Sequence, residues 1–437
     1  MAAKKGLTTA LEEKLDAQAV IHPLLSSLSE NDKKNLFTSN VNTAFIKTGF
    51  PLIDYFFGSV INIYDDIGNI IKQEGRVGQA AGTFNLIIAN TGAGKSTLGI
   101  QIAGNMLRQF DGANAIWFDC EERTDIPRCQ NITKLPTNYF YSDSGAPRFM
   151  IKQGAIGLDV IQEMIVKLYV RKMQFKDQLI TKSGHTDGFG KDVMILPPTI
   201  IGIDSITTVL NETFNPDNAK EASDAEKMRG NTEGARDAKT LKGFFKDILP
   251  LCKEANIIVY GINHINQNMS MNAFTPIAKQ QNFLKQDESI PGGKTMLYYP
   301  YNIIKLTAKP SDDFHVETDG FNGHIVMFEP IKSSSNQSGN DKKGLSFEMV
   351  FSFQEGFDTL RTMIWYGKTY GFIEGNKNRM RFKGDDSFTF SWKDLPKEVK
   401  NKPIWESLRK FVYPNLETHL SFMELENTQF DNNILNY

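Results

Sequence analysis

Short apolar runs alternate with amphipathic segments from about Thr83 to Gly371. Continuous apolar runs predict strands buried on both faces, and apolar residues at helical spacing predict helices that cover them. The predicted strands are "TFNLIIAN", "NAIWFDC", "NYFYSD", "TIIGIDSI" and "NIIVYGIN". The predicted helices begin near Lys95 and lie around "DVIQEMIVKLYVRKM" and "ARDAKTLKGFFKDILPLC", the last with Leu241, Phe244, Phe245, Ile248 and Leu251 on one face. This order indicates an α/β fold with a mainly parallel central sheet.

The pattern changes beyond the last of these strands. The runs "YNIIKLTAK", "GHIVMFEPIK" and "LSFEMVFSF" follow in succession and predict an antiparallel extension of the same sheet. A helix over "DTLRTMIWYGKTYG" closes a core that spans residues 49–371. Two polar segments within this core, "DDIGNIIKQEGRVGQAAG" and "TKSGHTDGFGKD" (181–192), are typical of surface loops.

Two smaller segments flank the core. Residues 1–48 are largely polar and carry apolar residues at roughly helical spacing, which predicts an N-terminal helical arm. Residues 372–437 are mixed in character and contain Trp392 and Trp405, which predicts a small C-terminal lobe.

Composition narrows the class of protein only a little. The 437 residues are 40% hydrophobic and 23% charged, as in ordinary globular proteins. The formal net charge of -2 neither supports nor excludes nucleic-acid binding, so such a surface would be a local basic patch. Cys120, Cys129 and Cys252 have no metal-ligand spacing, so we expect buried thiols in a reducing compartment. With no apolar run near 18 residues and no signal-peptide pattern, the sequence predicts a cytoplasmic protein without membrane contact.

A phosphate-binding motif lies between the first strand and the first helix. Residues Ala89 to Ser96 match G-x-x-x-x-G-K-[ST], with Ala89 in place of the first glycine. Lys95 is expected to reach the β and γ phosphates, and the Ser96 hydroxyl to ligate Mg²⁺. The plainer alternative is a glycine turn. The predicted nucleotide-binding residues of this loop are Ala89, Asn90, Thr91, Gly92, Ala93, Gly94, Lys95, Ser96 and Thr97.

Three further strand ends carry candidate catalytic groups. Asp204 ends "TIIGIDSI" and is the predicted second metal ligand, although an ordinary helix cap or turn residue is the alternative. Glu121 in "FDCEERTD" is the candidate for activating water, with Glu122 as a competitor. His264 ends "VYGINH" and has the position of a γ-phosphate sensor, or of an ordinary strand-end histidine.

The order of these motifs resembles the RecA family of recombinases, particularly the UvsX-type recombinases of tailed bacteriophages. The resemblance covers about Gly49 to Gly371 and includes "GFPLIDYFFG", "ANTGAGKST", "WFDCEERTDIP", "IIGIDSITTV", "VYGINH", "PGGKTMLYYPYNIIKL", "FEPIKSSS" and "FDTLRTMIWYGKTYGFI". It implies a RecA-like P-loop ATPase core that binds ATP and Mg²⁺ between adjacent subunits of a filament. By position, Asp125 matches a residue that contacts adenine, Arg128 one that stacks on the base, and Lys332 a lysine that reaches the neighbouring subunit's phosphates. A surface lysine is the alternative for Lys332.

The resemblance also implies two DNA-binding loops, at about 211–232 and 265–296. Cations that contact phosphates and aromatics that stack on bases suit binding of single strands without sequence preference. The candidate residues are Lys220, Lys227 and Arg229 in the first loop, and Phe274, Lys279, Phe283, Lys285, Gly292, Gly293 and Lys294 in the second. The first loop also carries acidic residues, and the second is longer than is usual in the family. As isolated features, both segments are equally compatible with solvated loops.

The implied function is an ATPase that forms a filament on single-stranded DNA and promotes pairing and strand exchange with homologous duplex. The expected partners are other copies of the chain, both forms of DNA, a single-strand-binding protein and a loader or mediator; if the chain is phage-encoded, it would act in the host cytoplasm. A hexameric replicative helicase of the DnaB type is the main alternative, although it would have a larger N-terminal domain. A recombinase paralogue that binds ATP without hydrolysing it, as a mediator, is the other.

Overall fold

The computed structural model describes residues 44–64, 70–142, 145, 147–187, 190–211, 233–267, 283–285, 288–309, 321–334, 346–395 and 402–416. The helices are α1 (Pro51–Phe57), α2 (Lys95–Gln109), α3 (Ile126–Thr133), α4 (Leu158–Gln174), α5 (Lys176–Leu179), α6 (Ile206–Asn211), α7 (Glu233–Ala255), α8 (Thr295–Tyr298), α9 (Thr359–Thr369) and α10 (Lys402–Phe411). The strands are β1 (Phe45–Ile46), β2 (Ser59–Tyr64), β3 (Ile70–Arg76), β4 (Gln79–Ala80), β5 (Phe84–Ala89), β6 (Asn114–Asp119), β7 (Phe149–Gln153), β8 (Thr181–Thr186), β9 (Asp192–Ile195), β10 (Thr199–Asp204), β11 (Ile257–His264), β12 (Asn266–Gln267), β13 (Glu288–Ser289), β14 (Asn302–Ala308), β15 (Gly323–Ser333), β16 (Phe347–Ser352), β17 (Gly356–Phe357), β18 (Ile373–Asn376) and β19 (Arg379–Phe382).

A mixed, mostly parallel sheet organises the fold. Nine strands follow the order β17-β16-β15-β14-β5-β11-β10-β6-β7. All neighbouring pairs from β14 to β7 are parallel, whereas β15, β16 and β17 pair antiparallel. The predicted α/β class with a mainly parallel sheet and an antiparallel extension is therefore confirmed.

The prediction was wrong about the strand at which the antiparallel part begins. β14 was expected to be antiparallel, but it pairs parallel with β5, with Asn302 opposite Asn85. The chain returns to the edge where β5 starts, since the Tyr301 amide donates to the Phe84 carbonyl at 2.7 Å. The Asn302 side chain also donates to the Asn85 side chain at 2.8 Å, which fixes this register.

The run "NYFYSD" was also predicted wrongly as a strand. Its first two residues lie in the 3-10 turn Thr137–Tyr139, and the edge strand is β7. The aromatic side chains have packing roles instead: Phe140 lies against Phe149 with ring centroids 5.2 Å apart, and the Tyr139 hydroxyl accepts a bond from Arg148. Because β7 is buried only at its start, its own apolar pattern was too weak to predict it.

Both polar segments predicted as loops contribute strands to β-hairpins. β2 pairs with β3, and β8 pairs with β9. The hairpins contact each other, since the Thr186 hydroxyl donates to Glu74 at 2.9 Å and Arg76 donates to the Thr186 carbonyl. Burial opposes ionisation of Glu74, but bonds from His185 and Thr186 and the charge of Arg76 outweigh it and lower its pKa to about 2. The segment at 181–192 is thus joined to the segment before the P-loop.

The central strands are covered on both faces. Ile87 of β5 packs with α2 in one buried cluster, whereas Leu86 and Ile88 pack with α4 and α7 in another. Of the predicted face of α7, Leu241, Phe244, Phe245 and Ile248 lie in the second cluster, whereas Leu251 is partly exposed and is not among its members. All three cysteines are buried, as expected. None of the helices in the described ranges is long and apolar enough to cross a membrane.

The segment after Gly371 packs on the core. It forms the β18–β19 hairpin and α10. Trp392 is buried, and its ring lies 6.3 Å from the ring of Trp365 in α9. Trp405 is partly buried against the same cluster. This tryptophan contact places the C-terminal segment on the side of the sheet that carries α2 and α9.

Candidate active site

Four neighbouring strands end at one edge of the sheet with candidate chemical groups. Ala89 ends β5, Asp119 ends β6, Asp204 ends β10 and His264 ends β11. The register places Asp204 beside Asp119, and His264 beside Ala89. Since all four strands are parallel, their carboxyl ends form one side of a shared crevice, where ligands of open α/β sheets bind.

A pocket lies in this crevice and contains most of the predicted nucleotide-site residues. Those that line it are Thr91, Gly92, Gly94, Lys95, Ser96, Thr97, Glu121, Arg128, Asp204 and His264. The sequence analysis did not assign five further lining residues, Ile100, Asp119, Arg123, Thr124 and Ile132. Predicted residues that do not line it are Ala89, Asn90, Ala93, Asp125 and Lys332.

The loop before α2 requires glycine at two positions. Gly92 and Gly94 have φ values of 85° and 81°, in the left-handed region that other residues rarely adopt. A Cβ on Gly94 would also lie 2.8 Å from the Phe351 ring. These glycines turn the backbone from β5 into the first turn of α2, where free N–H groups favour a bound anion.

Lys95 is held beneath this loop. Its ammonium donates to the carbonyls of Ala89 and Asn90, at 3.2 and 3.1 Å, and lies 3.4 Å from Nδ1 of His264. Burial lowers the pKa of Lys95, while the charges of Asp204 and Glu121 oppose the shift. The ammonium is thus positioned by acceptors that an incoming anion can replace.

His264 connects Lys95 to Glu121. An ammonium offers only donors, so Nδ1 of His264 accepts, and the ring proton lies on Nε2 in the neutral ring. Nε2 then donates to Oε1 of Glu121 at 2.9 Å. The three side chains therefore form one hydrogen-bonded chain across the pocket.

Glu121, and not its competitor Glu122, faces the pocket. Burial opposes ionisation of Glu121, but hydrogen bonds from His264 and Ser205 and the charge of Arg123 outweigh it and lower its pKa. Arg123 lies 3.2 Å from Oε2 of Glu121. Glu122 has a φ of 54° and is exposed outside the pocket. An ionised Glu121 can accept a hydrogen bond from a water molecule.

Asp204 and Ser96 supply the oxygen atoms that suit a divalent cation. Burial raises the pKa of Asp204 to about 6, against the effect of a hydrogen bond from Ser96. Carboxylate and hydroxyl oxygens are the donors that Mg²⁺ prefers, usually together with phosphate oxygens and water. Among the described residues, no group of three His, Cys, Asp or Glu side chains could hold a metal. A metal at Asp204 and Ser96 would therefore depend on nucleotide oxygens as well.

Asp119 is a site residue that the sequence analysis missed. It is almost fully buried, and its Oδ2 accepts bonds from the Thr124 amide at 2.6 Å and from Gln153 at 3.2 Å. Gln153 also donates to the Thr124 carbonyl at 2.7 Å. These bonds fix the loop that carries Glu121. An acidic residue at a strand end was the available signal, as it was for Asp204.

One wall of the pocket is built by α3, which contacts the turn after β16. Arg128 lines the pocket and donates to the carbonyls of Phe353 and Gln354, both at 2.7 Å. Asp125 caps α3 by accepting the Arg128 amide at 2.5 Å. Phe353 has an exposed side chain beside this contact. Arg128 thus lines the pocket, and its predicted stacking on a base stays a prediction, whereas the described role of Asp125 is to begin the helix that carries Arg128.

Lys332 lies away from the pocket of its own chain. It pairs with Ile303 of β14, which in turn lies opposite Leu86, nearer the start of β5. Its ammonium donates to the carbonyls of Leu297, Tyr298 and Pro300, at 2.7 to 3.2 Å. Its predicted role on a neighbouring subunit stays a prediction.

Only part of the predicted DNA-binding set lies in the described residues. Lys220, Lys227, Arg229, Phe274 and Lys279 lie outside them. Phe283 is half-buried against the cluster under α7, and Lys285 is exposed.

The segment after the second loop is tied to the end of β11. Gly292 and Gly293 have φ values of 86° and 62°, and Lys294 is exposed just before α8. The Asn263 side chain donates to the Pro291 carbonyl at 3.1 Å. The side chain of the residue before His264 therefore contacts the segment that closes the second loop.

The chain matches no protein-family model, and no curated protein aligns with it significantly. The case for a function therefore depends on the chemistry of the pocket. A loop with glycines required by backbone geometry leads into a helix with a lysine and a hydroxyl, and three acidic side chains and a histidine surround it. This arrangement suits a polyphosphate with a divalent cation and a water molecule activated beside it.

Proposed function

We propose that this chain is an ATP-dependent DNA recombinase with a RecA-like core, which forms a filament on single-stranded DNA and promotes homologous pairing and strand exchange. The observation that carries the proposal is the convergence of Lys95, Ser96, Glu121, Asp204 and His264 on one pocket. These residues come from four segments of the chain, in the order in which the RecA family carries them.

Each residue has a role that its geometry supports. Lys95 and the glycine loop bind the phosphates, and the Ser96 hydroxyl and the Asp204 carboxylate are the groups that would hold Mg²⁺. That ion, when bound, neutralises phosphate charge. Glu121 orients water and accepts its proton, since its lowered pKa keeps it ionised at neutral pH. His264 positions Glu121 through the 2.9 Å bond.

A basic stripe on α7 supports binding to a nucleic-acid backbone. Lys239, Lys242 and Lys246 are all exposed, and their spacing places them on one face of the helix. α7 directly follows the first predicted DNA loop. Its start is also close to the segment that ends the second loop, because the Thr295 hydroxyl donates to the Ala238 carbonyl at 3.1 Å. Cations on the stripe would neutralise phosphates between the two loops.

The buried side-chain amide of Asn263 supports a coupling between nucleotide binding and DNA binding. Asn263 precedes His264, and its side-chain oxygen accepts from Thr207 at 2.5 Å, just after Asp204. Its side-chain nitrogen donates to Pro291. The starts of both predicted loops therefore share a contact beside the catalytic pocket, so a change at the phosphates can bias both loops.

The decisive experiment combines ATP hydrolysis with imaging. Purified protein should hydrolyse ATP faster with single-stranded DNA, form helical filaments with a non-hydrolysable ATP analogue, and exchange strands between homologous DNAs. Binding should weaken steeply with salt. ATPase activity indifferent to DNA, together with an absence of filaments, would refute the proposal. Closed rings would identify a replicative helicase, and ATP binding without turnover in the presence of DNA would identify a mediator.

A further inference from the structure

Arg123 is a cation in the pocket to which the RecA resemblance assigns no role. It lines the same pocket as Lys95, Asp204 and His264. Its Nη1 lies 3.2 Å from Oε2 of Glu121, and 71% of its side chain is exposed. No other partner of Arg123 occurs within the described part of the chain. Most of its guanidinium donors are therefore available to a ligand.

The loop around Arg123 is built to hold it there. Glu122 adopts a φ of 54°, a left-handed conformation that costs a residue with a side chain about 1–2 kcal/mol. The Thr124 amide is fixed by Asp119 at 2.6 Å. This turn places the side chains of Glu121 and Arg123 in one pocket, while Glu122 lies outside it. Strain at such a position is usually maintained for function.

The charges in the pocket favour an exchange of partners by Arg123. Lys95 and Arg123 both line the pocket with Glu121, and the charge of Arg123 contributes to lowering the pKa of Lys95. A polyphosphate brings several negative charges between these two cations. A guanidinium binds phosphate oxygens in a planar, bidentate arrangement, whereas its single bond to Glu121 is a partly exposed ion pair of small net value.

We propose that Arg123 is the residue by which this site distinguishes a nucleoside triphosphate from a diphosphate. Without a ligand, the Arg123 guanidinium pairs with Glu121. When a triphosphate binds, the guanidinium leaves Glu121 and binds the terminal phosphate. The exchange also frees Oε2 of Glu121 for water. This inference rests on the proposed ATP site, and it concerns the bound nucleotide only, independent of DNA.

The test is calorimetric binding of a non-hydrolysable ATP analogue and of ADP, each with Mg²⁺, to the full chain. Arg123→Gln should weaken binding of the analogue by about tenfold to a hundredfold, the value of a lost charge-assisted contact, and change ADP binding by less than about threefold. Arg123→Lys should restore part of the discrimination, because it keeps the charge without the fork. Arg379→Gln, at an exposed arginine of β19, is the matched control and should bind as the wild type does.

A second variant separates ligand binding from simple support of Glu121. Glu121→Gln removes the resting partner of Arg123, so it should tighten binding of the analogue while retaining discrimination against ADP. Two results for Arg123→Gln would overturn the inference about Arg123 but leave the proposed function standing. One is an equal loss of affinity for the analogue and for ADP. The other is unchanged discrimination between them in protein whose circular dichroism matches the wild type. Wild-type protein that binds neither nucleotide would overturn the proposed function and this inference with it.

Discussion

The loop that carries Glu121, the proposed catalytic base, depends on Asp119, and removing the Asp119 carboxylate should uncouple turnover from nucleotide binding. Asp119→Ala deletes the acceptor for the Thr124 amide at 2.6 Å and for Gln153 at 3.2 Å. The loop from Cys120 to Thr124 then loses its anchor on β6. Lys95 and the glycine loop belong to β5 and α2, so they should keep their positions.

The size of the effect follows from these two bonds. A hydrogen bond to a charged group contributes about 1.5–3 kcal/mol, and a buried amide left without a partner costs about 1–3 kcal/mol. If the free energy that keeps the loop ordered falls by about 2–3 kcal/mol, the population with Glu121 in the correct position decreases by roughly 30-fold to 150-fold. We therefore expect kcat to fall by up to about 100-fold, and the affinity for an ATP analogue to change by a few fold.

The matched control is Asp119→Asn, measured by steady-state hydrolysis and analogue titration in parallel. Asparagine also removes the negative charge, but its amide oxygen can still accept from Thr124. It should therefore retain most of the turnover that alanine loses. Equal kcat in the alanine variant and the wild type would refute the anchoring role. Equal loss in both variants would show that charge, and not the hydrogen bond, is what matters.

Three further outcomes are expected. Lys95→Ala should abolish nucleotide binding or hydrolysis, whereas Glu121→Gln should bind ATP and trap a stable filament visible in negative stain; equal loss of DNA binding would contradict both roles. Lys332→Ala should lower DNA-stimulated turnover by about 10³-fold without preventing ATP binding, as for a cation supplied in trans, and unchanged turnover would exclude that role. Burial raises the pKa of Asp54 from 3.8 to about 7, so the folded state binds the proton more tightly and stability should fall as pH rises from about 4 to 7. Asp54→Asn should flatten this dependence, which amounts to at most about 4 kcal/mol in chemical denaturation, and an unchanged slope would assign it to other groups.

The sequence predicted the centre of the fold and of the site because strong local patterns meet there. β5, β10 and β11 are continuous apolar runs. Such runs are typical of parallel strands that are buried on both faces of a sheet. Once they are parallel, Asp204 and His264 must end at the same edge as the glycine loop that follows β5. Their convergence therefore follows from topology, and no single residue had to be diagnostic.

The features that sequence reasoning missed are those decided by contacts between distant segments. β8 has little apolar character, and it is joined by the Thr186 hydroxyl to Glu74, which is more than a hundred residues away. The direction of β14 is fixed by Asn85 and the start of β5. From sequence, Arg123 belongs to a solvated acidic turn. In the structure, the left-handed conformation of Glu122 directs Arg123 into the pocket. Local periodicity carries no information on any of these contacts.

The one departure within the P-loop motif shows which of its glycines the backbone requires. Ala89 occupies the first glycine position, yet it is the last residue of β5, in extended conformation and fully buried. Ala89 contacts Lys95 through its backbone carbonyl, which accepts a hydrogen bond from the Lys95 ammonium. Because this contact does not involve the side chain, the methyl group of alanine is compatible with it wherever the packing leaves room. Gly92 and Gly94 differ, since both have positive φ and Gly94 also lies against Phe351. The motif thus combines one position that needs a small side chain with positions that need a left-handed backbone, and this chain departs from the pattern only where size is the requirement.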